Sequence, residues 1–236
     1  MDALTITQAG LLSDVEQLRV LSHNLANATT LGFRRDVAVA RPFDTHLDQA
    51  GVGASLSTTS ATDIDRTPGA LRHSGNPLDV ALEGDGYFVL QSQAGTVFSR
   101  QGNFQVDSRG RLMGASGSAV LGASGEVALS QAEPRIDQAG NIWEGDKLID
   151  TLRVVRFSPD AQLTSLGSGT YASDAASLQD VEMPRVRQGY VEASNVVPMR
   201  EMVRLIETMR HFEAGQRVVR SYDDMMDRAF SLLGEA

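Results

Sequence analysis

Apolar side chains follow one rhythm at the ends of this chain and another in its middle. Toward the C-terminus Met202, Leu205, Met209, Phe212, Gln216, Val219, Asp223, Met226, Phe230 and Leu233 succeed one another at alternating spacings of three and four, and eight of these ten are apolar. The same spacing runs through Leu4, Gln8, Leu11, Val15, Leu18, Ser22 and Leu25. Each stripe predicts a helix with one narrow apolar face. Such a face needs a cover, and the simplest is the other end of the same chain. The prediction is a terminal helical pair on a β-body, a shape fit for stacking rather than catalysis. Leucine and methionine at this spacing also suit the ordinary core of a single monomer. Gln8, Ser22, Gln216 and Asp223 interrupt the stripes where register is set or where a neighbouring subunit would meet them.

Glycine and proline divide the rest. The first helical segment, from residue 3 to about 30, is expected to stop near Leu31-Gly32-Phe33, where glycine offers a C-terminal cap. From about Arg34 to Thr67 the periodicity fades, which predicts an extended linker. Short apolar runs then alternate with turn residues: Leu78–Leu82, Tyr87–Leu90, Thr96–Phe98, Ala119–Leu121 and Leu152–Phe157. Gly84-Asp85-Gly86, Asp107–Gly110 and Asp137–Gly140 are the expected turns of an all-β body. The last helix is expected to start near Ser194-Asn195, residues able to cap its free amides, with Pro198 in its first turn. The predicted organisation is therefore residues 1–33 with 194–236 as a helical domain, 34–67 as a linker and 68–193 as a β-rich domain.

Composition narrows the function. The chain of 236 residues is 42% hydrophobic by count, enough for a substantial core. Thirty acidic against 21 basic residues leave a net charge of −9, which argues against a general nucleic-acid surface. Cysteine is absent, so disulfides, thiolate metal sites and cysteine nucleophiles are excluded. No apolar run approaches the roughly 20 residues that cross a bilayer, and Met1-Asp2-Ala3-Leu4-Thr5-Ile6 shows no cleavable leader.

Catalytic chemistry finds little support. Gly84-Asp85-Gly86 lacks the following helix start and Lys-Ser/Thr of a phosphate loop. Asp79, Glu83 and Asp85 alternate as the solvent face of a strand does. His23, His46, His73 and His211 are scattered without metal-site spacing, and no serine sits in a Gly-x-Ser-x-Gly turn. No catalytic residue, metal ligand or cofactor is expected.

Four blocks then carry a resemblance. His23 to Arg34 reads His-Asn-Leu-Ala-Asn-Ala-Thr-Thr-Leu-Gly-Phe-Arg, similar to the asparagine-leucine-alanine-asparagine signature of bacterial flagellar basal-body rod and hook proteins. Asn76 to Val89, Arg100 to Leu112, and Gly189 to Val196 with Glu201-Met202 and Arg210–Glu213 resemble the later blocks of that family, in order. Departures from the family pattern are His23, where the family more often has asparagine, and Thr30-Leu31 before the glycine. Thr67-Pro68-Gly69, Asn76-Pro77-Leu78-Asp79 and the short length of 236 residues resemble the proximal-rod type; the distal-rod type usually has a longer segment than the one here from about Arg34 to Thr67.

The resemblance implies an α+β fold in which the N- and C-terminal helices pair as a coiled-coil domain, with a central all-β domain between them. It implies a non-enzymatic subunit that assembles with copies of itself and neighbouring rod proteins around a central export channel, as a shaft that transmits torque. Its helix-packing residues would be Leu11, Val15, Leu18, Asn24, Leu25, Asn27, Met202, Leu205, Met209, Phe212, Val219 and Met226. It also implies delivery by the flagellar type III export apparatus to a periplasmic rod, without nucleic-acid binding or membrane insertion. Phe43 and Leu47, four apart, resemble an export-gate motif, and an anchor in the linker explains them equally well. A hook-type or distal-rod subunit, and a peptidoglycan-binding or peptidoglycan-cleaving protein relying on Asp79 or Glu83, are the other readings.

Overall fold

The computed structural model describes residues 3–39, 61–130, 133–173 and 178–234. Among these residues the chain is two long α-helices and eighteen short strands. It divides into two compact units. One comprises Met1–Ala26, Asp36–Asp63 and Val197–Ala236, the other Asn27–Arg35 and Ile64–Val196.

The helical unit holds α1 (Ala3–Ala26) and α2 (Pro198–Gly234). They run antiparallel: Asp14 Oδ2 lies 2.6 Å from His211 Nδ1, while a Cβ on Gly215 would lie 2.9 Å from Leu11 Cδ2. At this register the last turns of α2 extend beyond the first residue of α1 by about 17 Å.

The coiled-coil expectation does not hold. Two helices and a largely β chain are present, but the seam between the helices is not a run of apolar knobs. One column of each predicted stripe is partly buried: Leu11, Leu18 and Leu25 on α1, and Leu205, Phe212 and Val219 on α2. The second column is displaced by one residue. Thr7, Asp14 and Leu21 replace Gln8, Val15 and Ser22, and Glu201, Thr208 and Gly215 replace Met202, Met209 and Gln216. Apart from Leu21 this second column is polar or small, and it cannot fill the holes of a facing helix as an apolar heptad does. Asp14 engages His211 instead, and Gly215 makes room for Leu11.

α1 ends at Ala26, earlier than the glycine-terminated helix expected. Buried Asn24 turns its amide onto the returning chain, donating Nδ2–H to the Asp36 carbonyl and accepting the Asp36 N–H at Oδ1, both at 2.8 Å. His23 Nδ1 meets the Asp36 carboxylate at 2.8 Å. The strand Asp36–Val39 that begins there pairs with Ala61–Ile64. At the other end α2 starts with Pro198, whose missing N–H is no loss in a first turn. Ser194 and Asn195 do not cap it. The carbonyl of Val197 accepts the N–H of Arg200 and Glu201, and Glu201 places a carboxylate in the positive first turn.

The β unit is built around Tyr87–Ser92. This strand pairs antiparallel with Gly95–Ser99, Ala119–Val120 and Val154–Phe157, and further strands extend these into a nine-stranded sheet. Both of its faces are covered. Phe88 and Leu90 enter a core with Val80, Phe104, Leu112, Val120, Ile142 and Val154, while Tyr87 and Val89 enter a second with Phe98, Val155, Phe157 and Tyr171. That is why the run reads as continuously apolar rather than alternating.

Two hairpins share one device. Asp107 Oδ1 accepts the N–H of Arg109 and of Arg111, and Asp137 Oδ1 accepts those of Ala139 and Asn141. Each carboxylate thereby replaces ladder bonds that a tight turn leaves unmade. Burial alone would raise the Asp137 carboxyl, but bonds from Asn141, Trp143 and Ala139 hold it below the usual carboxylate range. Gly84-Asp85-Gly86, in contrast, is not a hairpin turn: Val80–Leu82 pairs with Val186–Gln188, not with the strand that follows the glycines.

Candidate assembly site

In the helical unit the displaced seam has a direct consequence at the surface. Val15, Met202, Met209 and Met226, predicted to lie in the seam, are 50%, 43%, 47% and 39% exposed. Ile6, Leu12, Met199, Val203, Ile206, Val218 and Met225 join them in solvent. Single exposed apolar residues need no explanation, whereas large exposed apolar patches mark interaction sites. The hydrophobic pattern is therefore real, but much of it serves the outside of the helix pair. Leu11, Leu18, Leu25, Leu205, Phe212 and Val219 remain partly buried, and Asn24 ties α1 to the returning strand. In the β unit Asn27 holds the chain after α1, its carbonyl accepting Thr30 N–H and its Oδ1 accepting Thr30 Oγ1–H, both at 3.1 Å. Phe43 and Leu47 lie outside the described residues.

The four sequence blocks meet at one place inside the β unit. Glu192, fully buried, sits between two buried arginines: Oε1 lies 2.6 Å from Arg34 Nη1 and Oε2 lies 2.6 Å from Arg100 Nη2. Oε1 also accepts the N–H of Gly69 at 2.8 Å, and the Glu192 carbonyl accepts that of Gly32 at 2.8 Å. Arg100 donates onward to the carbonyls of Gly86 at 2.6 Å and Leu82 at 3.3 Å, and Arg34 to that of Thr67. Burial pushes the Arg100 guanidinium below its usual value, with Glu192 opposing and Arg34 reinforcing.

Sequence reasoning misses all three of these residues, because each reads there as an exposed charge. The available signal is position: Arg34, Arg100 and Glu192 stand at or near an end of the recognised blocks. Asn195 performs a related task, accepting Arg35 N–H at 2.7 Å and donating to the carbonyls of Asp65 and Thr67, both at 3.0 Å.

Asp79 accepts from the Asn76 amide at 3.2 Å and Glu83 forms an ion pair with Arg187, so these carboxylates hold local structure. Among the described residues no group of three or more His, Asp or Glu side chains could hold a metal ion, and no helix is long and apolar enough to cross a membrane.

Residues 187–232 match the family described as flagellar basal body rod FlgEFG protein C-terminal, and residues 81–144 the flagellar hook protein FlgE/F/G D1 domain. The basal-body rod protein FlgF of Mesorhizobium japonicum is 30% identical over 239 residues, covering 99% of this chain and 98% of the relative. FlgF of Escherichia coli is 32% identical over 253 residues, covering 99% of each chain. The rod protein FlgG of Buchnera aphidicola is 29% identical over 261 residues, covering 98% of this chain and 99% of the relative. Similarity of this extent spans both helices, the β-body and all the segments joined at Glu192, and the chain belongs to the flagellar basal-body rod protein family.

Proposed function

We propose that the chain is a structural subunit of the proximal rod, of the type represented by the FlgF relatives, which assembles with neighbouring rod proteins into the hollow shaft that transmits torque and encloses the export channel. The observation that carries this reading is the exposed apolar surface of α1 and α2. Burying apolar surface contributes about 25 cal/mol per Å², so many lateral contacts along helices this long sum to an interface that resists shear. Length supports the subtype: the FlgF alignments of 239 and 253 residues are nearer the chain's own 236 than the FlgG alignment of 261.

The test separates folding from assembly. Met202→Glu combined with Met209→Glu places two charges on that exposed face. Unfolding of the purified chain is expected to shift by no more than about 0.5 kcal/mol per substitution, while incorporation into basal bodies and motility are lost. Normal rods built from this double variant would overturn the reading. Imaging of the labelled chain in purified basal bodies distinguishes a proximal from a distal position.

Family membership also supports delivery to the periplasmic rod by the flagellar type III export apparatus, and a chain without cysteine needs no disulfide to fold after passage. A strain lacking a functional export gate should retain the chain in the cytoplasm. Its appearance outside such cells would rule that route out.

A further inference from the structure

A cavity of about 460 Å³ opens in the β unit, lined among others by Arg34, Arg66, Asp85, Tyr87, Arg156 and Gln179. Three of these side chains are guanidiniums, and they are differently engaged. Arg66 donates to the carbonyls of Ser158, at 2.8 Å, and Ala161, which orient it without neutralising it. Arg156 stands exposed beside Gln179 on the adjoining strand, and its guanidinium makes no hydrogen bond or ion pair among the described residues. Arg34 shares Glu192 with Arg100, yet its own Nε–H is buried without a hydrogen-bond partner.

The charges around this cavity do not cancel. Among the described lining residues three guanidiniums, Arg34, Arg66 and Arg156, stand against one carboxylate, Asp85, while Glu192 is shared between Arg34 and Arg100. This is a local excess of positive charge in a chain whose net charge is −9. The Tyr87 hydroxyl lies among the cations; burial raises its pKa, opposed by Arg34, Arg100 and Arg66, so it keeps its proton and can donate. Guanidinium forks beside a hydroxyl donor match a planar group with two acceptor oxygens.

We propose that this cavity is a carboxylate receptor, filled by an acidic side chain from a neighbouring rod subunit. Only the identity of the donor rests on the subunit reading. In an assembly of acidic chains the carboxylates at highest effective concentration are those of adjacent subunits, and a surface pair partly withdrawn from water adds specificity of register more than raw affinity.

Titrating the purified full chain with the peptide acetyl-Glu-Glu-Glu-amide, and separately with inorganic phosphate, followed by NMR shifts of the arginine side chains, decides the matter. The peptide is expected to bind at the cavity, more weakly at high salt. Arg156→Gln, which breaks no contact within the fold, is expected to weaken it about tenfold, and Arg156→Lys by less. Arg109→Gln, at an exposed hairpin, should leave the affinity unchanged. Absence of peptide binding, or an equal loss with Arg109→Gln, would overturn the site, and phosphate binding without peptide binding would overturn its assignment to carboxylates. Because the titration uses the isolated chain, its failure leaves rod incorporation untouched, and a failure of incorporation leaves the titration untouched.

Discussion

Glu192→Ala is expected to destabilise the β unit by about 3–5 kcal/mol, the range seen when one member of a buried ion group is removed. For a unit of this size the midpoint of thermal unfolding should fall by roughly 10 °C. The cause is what remains. Arg34 and Arg100 would be left side by side in a site where each is almost completely buried, without the carboxylate that compensates both. Gly69 would also lose the acceptor of its N–H. Replacing all three charged residues together with apolar ones is often harmless in buried ion groups. Here it should not rescue stability, because Arg100 also serves the carbonyls of Gly86 and Leu82, which would lose that donor. Chemical denaturation of the single and triple variants measures both effects, and a loss below about 1 kcal/mol for Glu192→Ala would show that the group is not the closure of this unit.

The second large effect is expected at Gly102. It lies where the third block crosses the second, and its carbonyl accepts the Val80 N–H at 2.8 Å. A Cβ added there would fall 1.6 Å from the Val80 carbonyl oxygen and 2.7 Å from its carbon. Both atoms are backbone, and Val80 is fully buried, so neither partner can turn aside. Gly102→Ala must therefore separate two segments of the core and is expected to cost about 3 kcal/mol or more, at or above the usual range for overpacking. A refolding yield and unfolding midpoint equal to those of the parent chain would contradict this.

Much of the architecture is legible in the sequence because it rests on local chemistry. The runs around Tyr87, Val97 and Val154 form strands, and Asp107 and Asp137 turn the hairpins expected of them. The helix seam is legible by half. Apolar periodicity finds Leu11, Leu18 and Leu25 but cannot find a column that runs through Thr7 and Asp14, or through Glu201 and Gly215. The same periodicity puts Val15, Met202 and Met209 inside, because an apolar face exposed on the monomer and one covered within it look alike in one chain. The buried ion group is not legible at all. Charged residues are read as exposed unless partners are known, and the partners here are separated by 92 and 158 positions.

That separation has a kinetic meaning. The carboxylate near the end of the β unit closes onto arginines contributed near its beginning and middle, so the group cannot form until almost every residue of the unit is present. A chain that emerges N-terminus first would carry two solvated guanidiniums and an unpaired strand Val80–Leu82 until residues 186–192 arrive. Long-range closure of this kind slows folding. Commitment to the folded β unit therefore waits for residues 186–192 whenever the chain folds from its N-terminus.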